Sequence, residues 1–169
     1  MQLEPPERVK TIAVESAANM LSAALDEVDG ADIFIAAAAV ADYRPARVAE
    51  QKIKKNDDDM NIQLIKNTDI VATVAALLHR PFTVGFAAET ENLEHYATQK
   101  LHKKNLDLVI ANDVSDTTIG FNSDDNRVLL VQAGATKALP TMNKNLLANK
   151  LIEHIASLLN TPQLKTSQP

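Results

Sequence analysis

The sequence ADIFIAAAAV, at residues 31–40, is the most apolar stretch of the chain and decides the fold class. Its first half carries β-branched and aromatic side chains, and such a continuous apolar run predicts a β-strand that is covered on both faces, as in parallel sheets. Its second half is mostly alanine, so little side-chain bulk follows at the carboxyl end of the strand. The run is far shorter than the roughly 20 residues that cross a bilayer, so no membrane span is predicted.

The segment before this run predicts a strand and a helix. Residues 9–14 alternate in polarity as a strand does, and Ser16 can then cap a helix that continues to about Val28. Gly30 would end that helix. Strand, helix and strand in succession are typical of an α/β protein.

Strands and helices continue to alternate downstream of the apolar run. Strands are predicted at residues 61–66, 82–87 and 106–111. Between the first two of these strands, the Asn-Thr-Asp segment predicts the start of a helix that is capped by Thr68 and continues through Leu78. Each helix therefore connects one strand to the next.

A further helix is predicted after Thr90, which would cap it. Its first turn is acidic and its last turn is rich in lysine, which complements the helix dipole. Residues 127–132 and 137–139 predict a hairpin around Gly134, and residues 143–159 predict a closing helix.

These elements predict one domain over residues 1–169. Apolar residues make up 46% of the chain, which is enough to form a core. We predict an α/β, Rossmann-like fold with a mostly parallel sheet, flanking helices and a C-terminal antiparallel hairpin. The long polar segment 41–59 is expected to be functional or disordered, and residues 160–169 are expected to fray.

The composition excludes several classes of function. The net charge of −5 argues against nucleic-acid binding, because that function requires a basic face. The chain has no cysteine, which excludes a disulfide scaffold, a cysteine-based zinc site and a thiol nucleophile. Its four histidines stand at no metal-ligand spacing. The first residues do not have the pattern of a signal peptide, so a cytoplasmic location is expected.

Unusual segments follow the predicted strands at residues 36–43, 67–70, 85–90 and 111–114. In an open α/β sheet, ligands gather at the carboxyl ends of the strands. We therefore expect a ligand site where these segments meet. Position alone does not identify the reaction, because every parallel sheet has such ends.

Any phosphate site in this chain would depend on lysines and helix N-termini. The chain has four glycines and lacks both the G-x-G-x-x-G and the P-loop patterns. One group of candidates is Lys52 with Lys54 and Lys55, and another is Lys100 with Lys104, which are spaced i and i+4 on one helix face. Each group has an ordinary alternative, namely a solvated loop or the basic last turn of a helix.

The other candidate residues also have structural alternatives. Asp42 directly follows the alanine run and could accept hydrogen bonds from ribose hydroxyls, or it could be an exposed loop carboxylate. Asn67 and Asp69 could simply start a helix, and Phe86 could simply belong to the core. The small side chains before Asp42 would let main-chain groups approach a base edge closely.

Taken in order, these segments resemble phosphopantothenate–cysteine ligase. The matching signatures are A-A-V-A-D-Y-R at residues 38–44, K-I-K-K at 52–55, N-x-D-I at 67–70, G-F-A-A-E-T at 85–90, K-N-L-D at 104–107, A-N-D-V at 111–114 and G-F-N-S-D at 120–124. Each signature alone is weakly specific. Their common order and spacing across residues 5–159 are highly specific.

The resemblance implies an enzyme of coenzyme A synthesis that uses CTP and Mg²⁺ to join 4′-phosphopantothenate to L-cysteine. The phosphopantothenate carboxylate would attack the α-phosphate of CTP and release pyrophosphate, and the cysteine amine would then displace CMP from the acyl cytidylate. The family is typically a homodimer in which an extended hairpin crosses to the partner, and residues 120–139 are candidates for that hairpin. In bacteria the family is usually fused to a flavin-dependent phosphopantothenoylcysteine decarboxylase.

The resemblance also implies roles for individual residues. Lys52 would stabilise the charge that builds up on the α-phosphate, Lys100 and Lys104 would hold the distal phosphates, and Asp42 would bind the ribose. The other residues of the nucleotide pocket would be Ala36, Ala37 and Ala38, whose backbone would meet the cytosine, together with Asn67, Thr68, Asp69, Ile70 and Phe86. No residue is assigned to Mg²⁺, because the hydrated ion often rests mainly on substrate phosphates.

The sequence departs from the family pattern in two places. Thr68 stands where the family usually has proline, a modest change because both residues suit a helix start. The family also opens with a strand, a loop rich in Ser and Gly, and a helix, which the residues before Val9 are too few to form. We therefore expect a truncated domain that has an exposed sheet edge and is inactive alone.

Two alternatives to the ligase follow from the same residues. The chain could be a non-catalytic nucleotide-binding or dimerisation fragment of that enzyme, and a test for nucleotide binding without turnover would distinguish it. An NAD-dependent Rossmann oxidoreductase is disfavoured, because the glycine fingerprint is absent from the sequence.

Overall fold

The computed structural model describes residues 5–54, 60–115 and 123–160. The elements within these ranges are, in chain order, α1 (Ala17–Glu27), β1 (Ile33–Ala36), β2 (Tyr43–Pro45), β3 (Leu64–Lys66), α2 (Ile70–Ala75), β4 (Phe82–Glu89), α3 (Leu93–Lys103), β5 (Leu108–Asp113), β6 (Asp125–Gln132), β7 (Ala135–Asn143) and α4 (Lys144–Asn160). This succession confirms the predicted α/β class.

The main sheet has five strands in the order β1-β4-β5-β6-β7. β1, β4 and β5 are parallel to one another, whereas β6 is antiparallel both to β5 and to β7. In this sheet, β6 is therefore the strand that runs against the other four. The structure confirms the mostly parallel sheet and the C-terminal hairpin predicted from the sequence.

Helices cover both faces of the sheet because side chains alternate along the central strands. In β5, Val109 packs with α2 and α3 on one face, while Leu108 and Ile110 pack with α4 on the other. Val109 is completely buried, and so is Leu108. Two hydrophobic clusters, one on each face, therefore hold the parallel strands rigidly in place.

β1 differs from its prediction. The run at residues 31–40 was expected to form a strand covered on both faces, but only Ile33–Ala36 is a strand, and Ile33 and Ile35 remain 37% and 39% exposed. Only the opposite face of β1, with Phe34 and Ala36, packs against the core. The reason is that β1 is an edge strand of the five-stranded sheet. On the face that carries Ile33 and Ile35, α4 packs over the other strands of the sheet.

The two short strands near the ends of the long polar segment form a separate small sheet. β2 pairs antiparallel with β3, and every residue of the two strands is exposed. The strand predicted at residues 61–66 is therefore shorter than expected and does not belong to the main sheet. The strand predicted at residues 9–14 is wrong, because these residues have no strand pairing among those that the structure describes.

The helix starts show one confirmed cap and two corrections. Ser16 caps α1 as predicted, since its hydroxyl accepts a hydrogen bond from the Asn19 amide. The cap of α2 is Asp69 rather than Thr68, and the helix ends at Ala75 rather than near residue 78. The residue before α3 is Asn92 rather than Thr90, and its left-handed φ of 47° places the turn two residues later than predicted.

The C-terminal elements agree closely with the sequence. β6 and β7 form the predicted hairpin, and Gly134 adopts the φ of +74° that such a turn requires. The closing helix α4 follows as Lys144–Asn160. Fraying was predicted for residues 160–169, but Asn160 still belongs to α4, and residues 161–169 lie outside the described residues.

Candidate functional site

The candidate site begins where β1 ends beside β4. The two strands pair as far as Ala36 and Gly85, so that the chain leaves the sheet after Ala36. Ala36 is half-buried, and the following Ala37 and Ala38 are exposed. The small side chains of this segment therefore leave its backbone accessible at the carboxyl end of a parallel strand.

Lys100 is anchored directly beside this end of β1. Its Nζ donates a hydrogen bond of 2.5 Å to the carbonyl of Phe86, the residue that follows the last β1–β4 pair. Burial lowers the pKa of Lys100 below its usual value, and the positive charge of Lys104 lowers it further. The carboxylates of Glu89, Asp69 and Asp42 act in the opposite direction and raise the pKa of Lys100, which means that all three charges lie near it.

Lys104 reaches the same site through an ion pair. Its Nζ lies 2.8 Å from Oδ2 of Asp69, while Oδ1 of Asp69 accepts a hydrogen bond of 3.1 Å from the Ala72 amide. Partial burial acts to raise the pKa of Asp69, but the hydrogen bonds from Lys104 and Ala72 outweigh it, and the net shift is downwards. Asp69 thus caps α2 and also positions Lys104.

The predicted lysine pair is therefore brought together with two of the predicted acidic residues. Lys100 and Lys104 come from the end of α3, Asp69 from the start of α2, and Asp42 from the segment after β1. We name these four residues the lysine–aspartate cluster. Such an arrangement can bind an anion next to a carboxylate that accepts hydrogen bonds from neutral donors.

Asn67 lies beside the cluster, is half-buried, and has both ends of its carboxamide bonded to protein groups. Its side-chain Nδ2 donates to the carbonyl of Ala41 at 2.7 Å, and its Oδ1 accepts from Arg44 Nη1 at 2.7 Å. Its backbone amide donates to the carbonyl of Asp42, also at 2.7 Å. Asn67 therefore holds the segment after β1. From the sequence, Asn67 was expected either to line the nucleotide pocket or simply to start a helix.

The other predicted pocket residues differ in their placement. Phe86 contributes its carbonyl to the site, whereas its side chain packs against the α4 cluster on the opposite face of the sheet. Ile70 is buried, with 7% of its surface exposed, and belongs to the core. Thr68 is exposed at the start of α2.

Lys52 is not joined to the cluster. It is exposed, and no hydrogen bond or ion pair connects it to the cluster within residues 5–54, 60–115 and 123–160. Lys54 is exposed as well, and Lys55 lies outside the described residues. The structure thus brings together one of the two predicted lysine groups.

Sequence reasoning missed Arg44 and Glu89 as site residues. Arg44 bonds Asn67 and lines a cleft of about 640 Å³ between the start of α1 and the segment that leads into β2. Glu89 ends β4 and its charge acts on Lys100. Arg44 lies inside the signature at residues 38–44, and Glu89 lies inside the one at residues 85–90. These signatures were the signal that could have identified both residues.

The K-N-L-D signature at residues 104–107 contributes Lys104 to the site and Asp107 to the scaffold. Asp107 pairs with Arg80 through two hydrogen bonds of 2.5 and 2.8 Å and also accepts one from the Thr83 amide. The hydrogen bond from Arg80 to Asp107 raises the pKa of Arg80. Arg80 precedes β4 and Asp107 precedes β5. The pair therefore lies at the amino ends of these strands, whereas the lysine–aspartate cluster lies at their carboxyl ends.

Gly85 has a packing role in the central strand. A Cβ atom at this position would lie 2.8 Å from Cδ1 of Leu106, which is closer than van der Waals contact permits. The glycine therefore allows the chain before β5 to pass directly against β4. This explains one residue of the 85–90 signature without reference to a ligand.

A second acidic group ends the neighbouring strand β5. Asp113 accepts hydrogen bonds from the hydroxyl and the amide of Ser115, which lower the pKa of Asp113, and Arg127 lies 3.9 Å away. The residues that follow Ser115, up to 122, lie outside the described part of the chain. No helix among the described residues is long and apolar enough to span a membrane.

Comparison with known proteins adds an independent finding. The family model of the DNA/pantothenate metabolism flavoprotein C-terminal domain matches residues 1–159. The coenzyme A biosynthesis bifunctional protein CoaBC of Vibrio vulnificus (strain CMCP6) is 50% identical over 162 residues, which are 94% of this chain and 40% of that protein. CoaBC of Escherichia coli (strain K12) is 50% identical over 161 residues, again 40% of its length. The chain thus spans 40% of the length of these relatives.

Solved structures agree with this relationship. The C-terminal domain of a coenzyme A biosynthesis bifunctional protein CoaBC superposes with a TM-score of 0.75 and 35% identity, and the match covers 93% of this chain and 69% of that one. A Cab2 variant in complex with phosphopantothenate-cysteine superposes with a TM-score of 0.53 over 75% of this chain and 45% of that one. At 21% identity, the latter similarity concerns the fold alone.

Proposed function

This chain belongs to the DNA/pantothenate metabolism flavoprotein C-terminal domain family, and we propose that it is the ligase part of a coenzyme A biosynthesis protein. The proposed reaction joins 4′-phosphopantothenate to L-cysteine with the consumption of CTP. A cytoplasmic location is part of the proposal, because the substrates are metabolites of the cell interior.

The reaction would proceed in two displacements. A carboxylate oxygen of phosphopantothenate attacks the α-phosphorus of CTP, which forms an acyl cytidylate and breaks the bond to pyrophosphate. The cysteine amine then attacks the acyl carbon, loses a proton and releases CMP as the amide forms. Negative charge builds up on the transferred phosphorus and on the pyrophosphate, so fixed cations provide most of the stabilisation.

The lysine–aspartate cluster is the observation that carries this proposal. Lys100 and Lys104 are held in place by Phe86 and Asp69 before a ligand is present, so little reorganisation is needed when a triphosphate arrives. In a chain with a net charge of −5, a preorganised pair of cations provides a local anion site. Asp42 supplies a carboxylate beside it, as a ribose requires.

We assign the roles as follows. Lys100 and Lys104 bind the distal phosphates, Asp42 accepts hydrogen bonds from the ribose, and the backbone of Ala36, Ala37 and Ala38 contacts the cytosine. The turn formed by Thr68 and Asp69, together with the Phe86 carbonyl, borders the nucleotide. Ile70 supports this turn from the core.

Lys52 is proposed as the catalytic lysine that moves to the α-phosphate when the nucleotide binds. The support is its exposure on a segment without helix or strand, so that its ammonium group can approach a bound ligand. In the complete enzyme, Lys52→Gln would then abolish cytidylate formation while the fold and CTP binding persist. Unchanged turnover in that variant would remove Lys52 from the mechanism.

Magnesium is proposed as the counter-ion of the triphosphate. No group of three His, Asp or Glu side chains that could hold a metal exists among residues 5–54, 60–115 and 123–160. The cluster carboxylates Asp42 and Asp69 offer at most single oxygen ligands, which fits an ion that keeps its waters and rests on phosphate oxygens. The ion would neutralise phosphate charge that the lysines leave uncompensated.

A homodimer is proposed on the basis of exposed apolar side chains. Tyr43 and Leu64, on the paired strands β2 and β3, are 57% and 54% exposed, and Ile65 is exposed as well. An isolated two-stranded sheet with apolar side chains is marginally stable in water, so a partner subunit would stabilise it. This supports β2 and β3 as the contact region in place of the hairpin at residues 120–139, most of which belongs to the main sheet.

A fused decarboxylase remains part of the proposal, because the relatives are bifunctional proteins of which this chain covers 40%. A non-catalytic nucleotide-binding module is the second candidate. The observation that favours it is that, among the described residues, the lysine–aspartate cluster forms without a hydrogen bond or ion pair to Lys52.

Thermal-shift titration with CTP, UTP and ATP tests the nucleotide site, and pyrophosphate release in the presence of 4′-phosphopantothenate tests the reaction. The ligase requires selective stabilisation by CTP together with pyrophosphate release. Lys100→Met should abolish the CTP shift, while Lys103→Met, an exposed lysine on the same helix, should leave it unchanged. Stabilisation without pyrophosphate release supports the binding module, and no stabilisation by CTP overturns both.

A further inference from the structure

We propose that Asn67 is a positioning residue that fixes Asp42 through hydrogen bonds to the segment around it. The inference rests on the proposed function, because it concerns how the ribose-binding carboxylate is held in place. It adds a positioning role to the expectation that Asn67 belongs to the nucleotide pocket.

The backbone of Asn67 fixes Asp42 first. Asn67 directly follows β3 and Asp42 directly precedes β2, and the Asn67 amide donates to the Asp42 carbonyl at 2.7 Å. This hydrogen bond extends the antiparallel pairing, in which Tyr43 is opposite Lys66, by one further residue pair. The extension ends at the point where the small sheet meets the lysine–aspartate cluster.

The side chain of Asn67 then connects the residues on both sides of Asp42. Nδ2 donates to the Ala41 carbonyl at 2.7 Å, and Oδ1 accepts from Arg44 Nη1, also at 2.7 Å. Both ends of the carboxamide are therefore bonded to the segment that contains Asp42. The carboxamide therefore connects the backbone before Asp42 to the side chain of Arg44 after it.

Arg44 completes this arrangement from the other strand. Its Nη1 bonds Asn67 Oδ1 and approaches the Lys66 carbonyl at 3.4 Å. Because β2 and β3 are exposed on all residues, apolar packing contributes little to their position. Hydrogen bonds of Asn67 and Arg44 therefore add to the backbone pairing that joins β2 and β3 just before α2 begins.

The position of Asp42 matters because its charge reaches Lys100. A carboxylate that accepts hydrogen bonds from both ribose hydroxyls must be fixed within a small distance and angle to gain from them. Loss of Asn67 should therefore weaken specifically those interactions that depend on the ribose hydroxyls. Interactions with the phosphates, which involve Lys100 and Lys104, should persist.

The experiment compares CTP with 2′,3′-dideoxy-CTP, which lacks both hydroxyls, by isothermal titration calorimetry on the whole chain. The unmodified chain should prefer CTP by about tenfold or more, the effect of losing hydrogen bonds to a charged acceptor. Asn67→Ala should reduce that preference to about twofold or less and leave the affinity for dideoxy-CTP within about twofold of its original value. Gln63→Ala, an exposed amide on the same segment, is the matched control and should keep the full preference.

Asp42→Ala and the double variant with Asn67→Ala complete a double-mutant cycle on CTP affinity. If Asn67 acts through Asp42, Asn67→Ala should have almost no further effect on CTP affinity once Asp42 is alanine. Arg44→Gln provides a second route in case Asn67→Ala does not fold. It removes one partner of Asn67 and should reduce the ribose preference in the same direction.

The outcomes separate this inference from the proposed function. If the unmodified chain shows no preference for CTP over dideoxy-CTP, the ribose-binding role of Asp42 fails. If that preference exists and Asn67→Ala retains it, only the positioning role of Asn67 is overturned. The same conclusion follows if Asn67→Ala lowers the affinity for both nucleotides equally and its effect adds to that of Asp42→Ala.

Discussion

The Nζ atom of Lys104 lies 2.8 Å from Oδ2 of Asp69, so the cation at the end of α3 is paired with the residue that caps α2. The ion pair joins two helices on the same face of the sheet. A triphosphate that binds Lys104 must compete with this carboxylate, which makes Asp69 a determinant of anion affinity as well as of local structure.

We predict that Asp69→Asn strengthens the binding of inorganic pyrophosphate by about three- to tenfold, because removal of one negative charge near two lysines contributes roughly 1 kcal/mol. Asparagine still caps a helix well, so the free energy of unfolding should change by less than about 0.5 kcal/mol. Calorimetric titration and urea unfolding measure the two quantities. Glu94→Gln, an exposed residue on α3, is the charge-matched control, and weaker binding in Asp69→Asn would contradict the prediction.

Asp69 should also contribute a pH-dependent stability. Its pKa is lowered in the folded protein, so the contribution is fully present above its usual pKa of 3.8 and is lost as the pH falls through the lowered value. The effect is small, because the ion pair is partly exposed and screened by solvent. Urea unfolding of the original chain and of Asp69→Asn between pH 7 and strongly acidic pH measures it. A stability difference that grows towards acidic pH would refute this assignment.

Lys100 should take up a proton when CTP binds at alkaline pH. Burial and the charge of Lys104 lower its pKa in the free protein, and the arriving phosphates favour the ammonium form and raise the pKa again. Between these two values a fraction of the molecules must gain a proton on binding. Titration calorimetry in two buffers of different protonation enthalpy detects this uptake. Lys100→Arg should abolish the uptake, because arginine stays charged at this pH, and unaltered uptake would exclude Lys100 as its source.

Asp107→Asn should destabilise the fold without changing nucleotide affinity. Asp107 is partly buried and bonds both Arg80 and the Thr83 amide, so its replacement should lower the free energy of unfolding by about 1–3 kcal/mol. Its position before β5, at the edge opposite the lysine–aspartate cluster, leaves the site unaffected. Urea unfolding and CTP titration test the two parts. Asp26→Asn, on the exposed surface of α1, is the control and should change neither quantity.

The sequence predicts best those parts of the fold that are buried on both sides. The strands β4 and β5 were recognisable because local pattern and final burial coincide. The hairpin around Gly134 was recognisable from its glycine turn, since β7 is mostly exposed. The run at residues 31–40 reads as an equally buried strand, but β1 lies at a sheet edge. Burial of an edge strand depends on neighbours that are distant in sequence, and periodicity does not report them.

The candidate site was predictable in composition but not in its contacts. The i and i+4 spacing places Lys100 and Lys104 on one helix face, and the structure shows that face directed at β4 and α2. The partners of these lysines, Phe86 and Asp69, could not be inferred, because no local pattern encodes a contact between distant segments. For the same reason, the hydrogen bonds of the Asn67 side chain to Ala41 and Arg44 could not be inferred from the sequence.

The reversed direction of β6 has a practical consequence for labelling this protein. Because β7 again runs the same way as β4 and β5, α4 starts at the rim where the nucleotide is proposed to enter. From there α4 runs back along the sheet, as its contacts through Leu147, Leu151 and Ile155 require. A fluorophore or surface tether attached at Asn160 would therefore sit at the far rim and leave access to the lysines unobstructed.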